Sequence, residues 1–368
     1  MQIKYSPLLS TGKIWKVFAC ILVGIVLFII FEGPANIIIV FKSLHRPMAE
    51  RVYTRYDPQL GWVNIPNTFI KNMYGEGQYL KINSQGFRSN KDFAISIPKD
   101  KIRIICSGDS FTFGYGVDND HAWCQYLSSI DQRLETINMG QGGYGIDQMY
   151  LWYLRDGDKF EHNIHIFALI TSDFTRFRKN LRGYGKPVLR LQNNLLVADN
   201  VPVPMRSFYV PWLTENVQYL NKLKSARFLS WIYNKLVFNK STLSVPDTRS
   251  FDCTITLRVF EDLLRMNNLK HSKLVIIYLP LKLDLQSDKS LKLRTFLRSE
   301  LLKRGIPFID LVDDFKKLPS LEARDMFLGG GKYPYSAGHY SAKGNEYVAN
   351  LLYRQLLPFL DFESIKSQ

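Results

Sequence analysis

Three short stretches hold residue types that could carry out acyl chemistry together. The first is Ser107-Gly108-Asp109-Ser110-Phe111-Thr112-Phe113-Gly114, directly after the apolar run Ile102 to Cys106. A serine at a strand-to-helix turn presents its hydroxyl at the carboxyl edge of a sheet. The helix that follows offers free N–H groups and positive potential to a developing oxyanion. Gly-Asp-Ser is also ordinary turn chemistry, so its place after a strand is what singles it out. The second stretch is Asn138-Met139-Gly140-Gln141-Gly142-Gly143-Tyr144-Gly145. Such a density of glycine means backbone that bends tightly or approaches something closely. A bare GxGxxG frame is present at Gly140, Gly142 and Gly145, but no GxxxxGK[ST] frame fits, and an oxyanion-donating loop is a sharper reading than a phosphate cradle. The third is Gly338-His339-Tyr340-Ser341-Ala342-Lys343-Gly344-Asn345. A histidine at the mouth of a C-terminal helix can serve as general base. Of the chain's 6 histidines, His162 and His165 form an HxxH at a strand start, a spacing more often found on a surface than on a metal. His45, His121 and His271 lie in unremarkable contexts.

Such residues need a frame. Apolar runs at Ile102–Cys106, Ile164–Thr171, Lys273–Leu279 and Ile306–Val312 read as strands. Helical periodicity separates or follows them, at Thr256–Met266, Leu291–Arg304 and Glu346–Leu357. Strands alternating with helices predict a parallel sheet covered on both faces. Residues 43–100 read as lead-in strands and loops, with turns at Tyr56-Asp57-Pro58, Ile65-Pro66-Asn67, Gly75-Glu76-Gly77 and Ser84-Gln85-Gly86. The alternation breaks at 176–250. Six Lys or Arg between Arg176 and Arg190, a hairpin over Val188–Val203 and a helical stretch from Trp212 to Leu236 read as an insertion. It is expected to act as a lid or as a basic face toward an anionic substrate or membrane.

In this order, and on this fold pattern, the three stretches resemble the SGNH/GDSL hydrolase superfamily. The resemblance runs over residues 56–358. The segments YDPQLGW and INSQGFRS ahead of SGDSFTFGYGV are similar to its membrane-anchored bacterial cell-envelope subgroup. It implies a three-layer α/β/α, flavodoxin-like fold with a mostly parallel sheet. Ser110 would be the nucleophile, His339 the base, and the N–H groups of Ser110 and Gly143 the oxyanion donors. Two positions depart from the family pattern. Ser172, in Thr171-Ser172-Asp173-Phe174, stands where an oxyanion-donating Asn is expected. Ser336 and Ala337 stand where the Asp that orients the histidine is expected. Ser336, a backbone carbonyl, or a distant Asp such as Asp325 or Asp310 would have to take that role.

Composition sets the outer bounds. Of 368 residues, 46% are hydrophobic and 22% charged, which predicts a packed core. Lys and Arg total 48 against 33 acidic residues, a net charge of +15 that favours anionic partners. No zinc-finger or RNP pattern supports nucleic acid, and no metal or nucleotide cofactor is implied. The 4 cysteines, Cys20, Cys106, Cys124 and Cys253, have no metal spacing. Cys20 lies in the apolar N-terminal run, and the other three read as buried free thiols, with a Cys106–Cys124 disulfide as the alternative in an exported domain. The uncharged run Val17–Phe31 is expected to be an uncleaved transmembrane helix within an N-terminal segment 1–42. Lys4, Lys13 and Lys16 before it favour a cytoplasmic N-terminus. The remainder, 101–368, would then be an extracytoplasmic SGNH-like domain at the inner membrane. The expected function is a serine esterase or O-acyltransferase working on acylated glycan or lipid, alongside envelope polysaccharide biosynthesis proteins. The alternative is a catalytically degenerate domain that binds an anionic glycan or lipid, or scaffolds an envelope assembly complex.

Overall fold

Alternation of side chains along three short runs decides the architecture. In the computed structural model, which describes residues 15–27, 52–177, 180–181, 184–204, 251–329 and 336–360, Ile105, Phe167, Leu169, Leu274, Ile276 and Tyr278 enter one core cluster. Their neighbours Ile104, Cys106, Ile166, Ala168, Val275 and Ile277 enter another. A strand buried on both faces must lie in a sheet with helices above and below. Each fully buried aliphatic side chain contributes about 1.5–3 kcal/mol relative to exposure.

The lead-in supplies two small antiparallel pairs, β1 (Thr54–Asp57) with β2 (Gly61–Asn64) and β3 (Phe69–Ile70) with β4 (Leu80–Lys81). The central sheet consists of β5 (Ile102–Gly108), β6 (Leu134–Gly140), β7 (Ile164–Leu169), β12 (Lys273–Tyr278) and β13 (Phe308–Asp310). Between β7 and β12 lie β8 (Asn180–Leu181), β9 (Tyr184–Gly185) and the hairpin of β10 (Val188–Gln192) with β11 (Leu195–Asp199). The central strands are all parallel, in the order β13-β12-β7-β5-β6. Along the chain this is the second-first-third-fourth-fifth order of flavodoxin-like sheets, whose winding reverses between β5 and β7. A crevice is expected outside the carboxyl ends of those two strands.

Residues 15–27 form helix α1. It is followed by α2 (Ser110–Phe113), α3 (Trp123–Ile130), α4 (Ile146–Trp152), α5 (Phe251–Leu269), α6 (Leu291–Lys303) and α7 (Ala342–Leu356). Trp123 and Leu127 of α3, with Val348 and Leu352 of α7, cover one sheet face. Ile146 and Met149 of α4, Val259 and Leu263 of α5, and Leu293 and Leu297 of α6 cover the other. The lead-in joins this second layer through Leu60, Trp62, Phe87 and Phe93.

The chain divides into two units, Met1–Pro47 with Phe208–Leu236, and Met48–Ser207 with Val237–Gln368. In the first, α1 is the described part. No helix among the described residues is long and apolar enough to cross a membrane. The rest of the expected span Val17–Phe31 and the helical stretch Trp212–Leu236 lie outside the described residues.

Several expectations are corrected. The strand β6 was not legible in the sequence, because its side chains alternate with polar ones that the fold satisfies internally. Glu135 accepts from Arg103 at 2.8 Å and pairs with Lys91 at 2.7 Å. Thr136 donates to the Cys124 carbonyl, and Asn138 to the Thr112 carbonyl at 3.0 Å. The strand expected at Ile306–Val312 is only Phe308–Asp310. Cys106 and Cys124 are free buried thiols, so the alternative disulfide is not formed. His162 and His165 are buried rather than on the surface. His165 faces the Ser107 hydroxyl at 2.9 Å and Asn267, and Asn267 reaches His162 at 3.1 Å. Burial pushes both imidazoles below their ordinary pKa.

Candidate active site

The turn after β5 is built by close approach. A Cβ on Gly108 would lie 2.0 Å from Thr112 Oγ1, and one on Gly140 would lie 2.1 Å from the Phe113 nitrogen. Glycine at the ends of β5 and β6 therefore lets α2 cross directly over both strands. Asp109 is the N-cap of α2 and accepts from the Phe111 N–H at 2.8 Å. Ser110 is the first helical residue, and its own N–H has no hydrogen-bond partner among the described residues. Behind the turn, the buried Arg88 gathers the carbonyls of Phe113 and Gly114 at 2.5 Å each, and that of Val117. This satisfies the orphan carbonyls that so short a helix leaves. It also gives a structural role to the INSQGFRS segment.

His339 lies ahead of α7, which Ser341 caps. A backbone ladder carries it, with Leu328 N–H donating to the His339 carbonyl and Gly338 N–H to the Leu328 carbonyl. Its Nε2 stands 2.8 Å from Ser110 Oγ. Its Nδ1 stands 3.2 Å from the Ser336 carbonyl oxygen. A carbonyl can only accept, so Nδ1 carries the proton and Nε2 turns its lone pair to the serine hydroxyl. The ring packs on Phe111 and Tyr115, with centroids 4.8 and 5.2 Å away. Desolvation pushes its pKa below the ordinary value, while the nearby Asp109 pulls it up. The imidazole is thus held neutral, ready to accept a proton.

The orienting group expected two or three residues before His339 is therefore the Ser336 main chain. Neither distant carboxylate does this work. Asp310 binds Arg294 at 2.6 Å and Arg298 at 3.2 Å, and the contact made by His339 Nδ1 goes to the Ser336 carbonyl rather than to Asp325.

Gly143 sits in the loop after β6 with φ +81°, in the left-handed region that favours glycine. The loop is tied to the nucleophile turn by the Gln141 N–H donating to the Gly108 carbonyl at 3.1 Å, and it closes through Tyr144 N–H on the Gln141 carbonyl. The indole N–H of buried Trp62 donates to the Gly142 carbonyl at 3.0 Å. In a trans peptide, C=O and N–H point in opposite directions. Trp62 therefore fixes the direction of the Gly143 N–H, which has no partner among the described residues. Ser172 lies in the turn Thr171–Thr175 after β7, half-buried, and its hydroxyl has no partner among the described residues. All three donors stand at the carboxyl ends of β5, β6 and β7.

Several residues of this site were not anticipated. Arg176 Nη1 contacts the Asp109 carboxylate at 3.2 Å, the Asp173 carboxylate at 2.8 Å and the Tyr144 carbonyl at 2.6 Å. Lys186 donates to the Arg176 carbonyl at 2.6 Å, and to both Asp147 carboxylate oxygens at 2.7 Å. Burial raises the Asp173 pKa well above the usual carboxylate range, and the neighbouring Asp109 adds to the shift. The basic run at 176–190 is thus not wholly a surface face. Arg176 is largely buried and Lys186 fully so, while Arg190 pairs across the hairpin with Asp199 at 2.9 Å. The usable signal was the presence of an acid beside each donor, Asp109 next to Ser110 and Asp173 next to Ser172. Buried acids require a cation. No group of His, Cys, Asp and Glu among the described residues is placed to hold a metal ion.

No family model matches the chain, and no curated protein matches it. Among solved structures, the chain is similar to a member of the lipolytic protein G-D-S-L family from Veillonella parvula. The identity is 14% over 70% of this chain and 98% of that one, with a TM-score of 0.38. It is also similar to the lipase/acylhydrolase from Enterococcus faecalis, at 12% identity over 69% and 95% of the two chains and a TM-score of 0.39. A third is the acetyl xylan esterase AlAXEase, at 13% identity over 69% and 100%, with a TM-score of 0.39. The chemistry of this chain rests on its own side chains.

Proposed function

We propose that this chain is a serine esterase or O-acyltransferase acting on acyl esters, acetyl foremost, of a cell-envelope glycan or lipid. One observation carries the reading. A hydroxyl and a neutral imidazole face each other at 2.8 Å, with the imidazole locked in the proton-accepting tautomer. The half-buried setting limits competition from water.

The reaction follows from those atoms. Ser110 Oγ attacks the ester carbonyl carbon as its proton passes to His339 Nε2. The carbonyl π electrons move to oxygen, and the N–H groups of Ser110 and Gly143 receive the oxyanion, with the Ser172 hydroxyl beside them. Collapse breaks the bond to the alcohol, which leaves with the proton from Nε2. The acyl group now sits on Ser110. Water or a sugar hydroxyl then gives its proton to His339 and attacks, and Ser110 is released with its proton restored. Water makes the chain an esterase, and a sugar hydroxyl makes it a transferase.

Lack of a carboxylate on Nδ1 is less costly here than in a triad stripped of its acid. That loss, about 10⁴-fold in rate, comes with the wrong tautomer. The Ser336 carbonyl enforces the right one. It does not neutralise the imidazolium, a part left to the field of Asp109.

Hydrolysis of p-nitrophenyl acetate tests the reading. The intact chain should release nitrophenol with saturation, and Ser110→Ala should reduce kcat by at least about 10⁴-fold. Adding an oligosaccharide acceptor should divert acetyl to sugar if transfer dominates. Equal rates for the Ser110→Ala variant and the parent would end the proposal.

A further inference from the structure

The three loops that carry the oxyanion donors come from separate strands, and one nitrogen touches all of them. Arg176 Nη1 binds the carboxylate next to Ser110, the carbonyl next to Gly143 and the carboxylate next to Ser172. None of these acceptors is itself a donor to substrate. Each is one residue away from one that would be.

We propose that Arg176 is a positioning residue that sets the oxyanion hole by clamping the turns after β5, β6 and β7 together; this rests on the reading of the site as an acyl-transfer centre. The glycine loop shows how. Its turn is pinned on one side by Trp62 on the Gly142 carbonyl and on the other by Arg176 on the Tyr144 carbonyl. Gly143 lies between the two pins. Arg176 is in turn held by Lys186, whose ammonium links its carbonyl to Asp147 on α4. A Cβ on Gly145 would lie 2.8 Å from Arg176 Cβ and 3.0 Å from the Asp147 carboxylate. Glycine at 145 is thus what allows the clamp to close. The positive charge also opposes the Asp109–Asp173 repulsion and the burial that together raise the Asp173 pKa.

All three contacts are made by a single nitrogen, which is a role an ammonium can share. Arg176→Met keeps the apolar stem and removes the clamp, and Arg176→Lys keeps a donor and the charge. Steady-state kinetics with p-nitrophenyl acetate should show Arg176→Met lowering kcat about 10²-fold or more, the scale of a lost oxyanion donor. KM should stay within about threefold, because ground-state binding is not what the clamp serves. Arg176→Lys should recover most of that loss. Arg190→Met, on the exposed hairpin, should match the parent. Thermal unfolding of each variant confirms that folded protein is compared. Should Arg176→Met fail to fold, Arg176→Gln takes its place: it keeps a neutral donor without the charge and should still lower kcat well below that of Arg176→Lys, and a folded Arg176→Gln with the parent's kcat overturns the clamp.

Hydrogen exchange read by mass spectrometry supplies a measure independent of turnover. Amides of 109–113, 141–145 and 171–175 should exchange faster in Arg176→Met, while those of β12 should not change. Unchanged exchange at all three turns overturns the clamp, as does a folded Arg176→Met with the parent's kcat. A parent that hydrolyses nothing while the three turns loosen in the variant would instead sink the acyl-transfer reading and leave the clamp standing.

Discussion

His339 takes its directing contact from a main-chain carbonyl, and that choice has a measurable consequence. Desolvation is the largest influence on its pKa and lowers it from 6.5. The neutral imidazole is the active form, so kcat/KM should be flat through neutral pH. It should fall with a one-proton slope only as pH drops through a value below 6.5. A pH–rate profile on p-nitrophenyl acetate checks this. An acid limb centred above 6.5 would mean that a partner carboxylate raises His339, contrary to the geometry described. Ser110, Gly143 and His339 were all legible in the sequence, because nucleophile turns, glycine loops and helix-mouth histidines each leave a local pattern. Ser336 was one of several candidates to orient His339, and its carbonyl is the group that does so, but the roles of Arg176 and Trp62 were not legible. Their roles depend on partners far along the chain or on main-chain atoms, and neither leaves a residue-type signature.

Elements follow the same division. Strands such as β7 and β12, apolar on both faces, were legible from composition. β6 was hidden because Glu135 is a charge buried beside β5. Such a charge is tolerated only through Arg103, which is itself fully buried and also donates to the Ile95, Ser96 and Glu161 carbonyls. Removing one partner strands the other. Glu135→Leu should therefore destabilise the fold by about 3–5 kcal/mol. Denaturant unfolding measures it, and replacing Arg103 with Met in the same chain should restore part of the loss. A Glu135→Leu chain as stable as the parent would show that the pair is dispensable to the sheet. The lead-in was read as strands and loops without a purpose. Arg88 and Trp62 show that it braces the nucleophile turn and the glycine loop from behind.

At the scale of the whole molecule, sheet order explains why residues so far apart in sequence meet. The reversal of winding between β5 and β7 brings their carboxyl ends side by side, and α7 delivers His339 to the same edge. The parallel sheet was legible from strand-helix alternation, whereas the flavodoxin-like order was implied by the resemblance alone, because handed crossovers permit other orders too. The segment before the lead-in is a separate matter. In α1, Trp15, Val17, Phe18, Ile21 and Leu22 are each more than half exposed. Among the described residues no layer covers this apolar helix, which favours the proposal that this end meets a bilayer. The full chain should remain with membranes after carbonate extraction, and a chain lacking residues 1–42 should be released. Release of both would remove the anchor from the account without touching the site.

The central claim is that Ser110 is a nucleophile activated by His339. A fluorophosphonate probe, followed by peptide mapping with mass spectrometry, reads it directly. The account predicts one adduct per chain, on the peptide bearing Ser110, with labelling lost in Ser110→Ala and strongly slowed in His339→Gln. No adduct on the native chain, or an adduct on another serine that persists in Ser110→Ala, would contradict it.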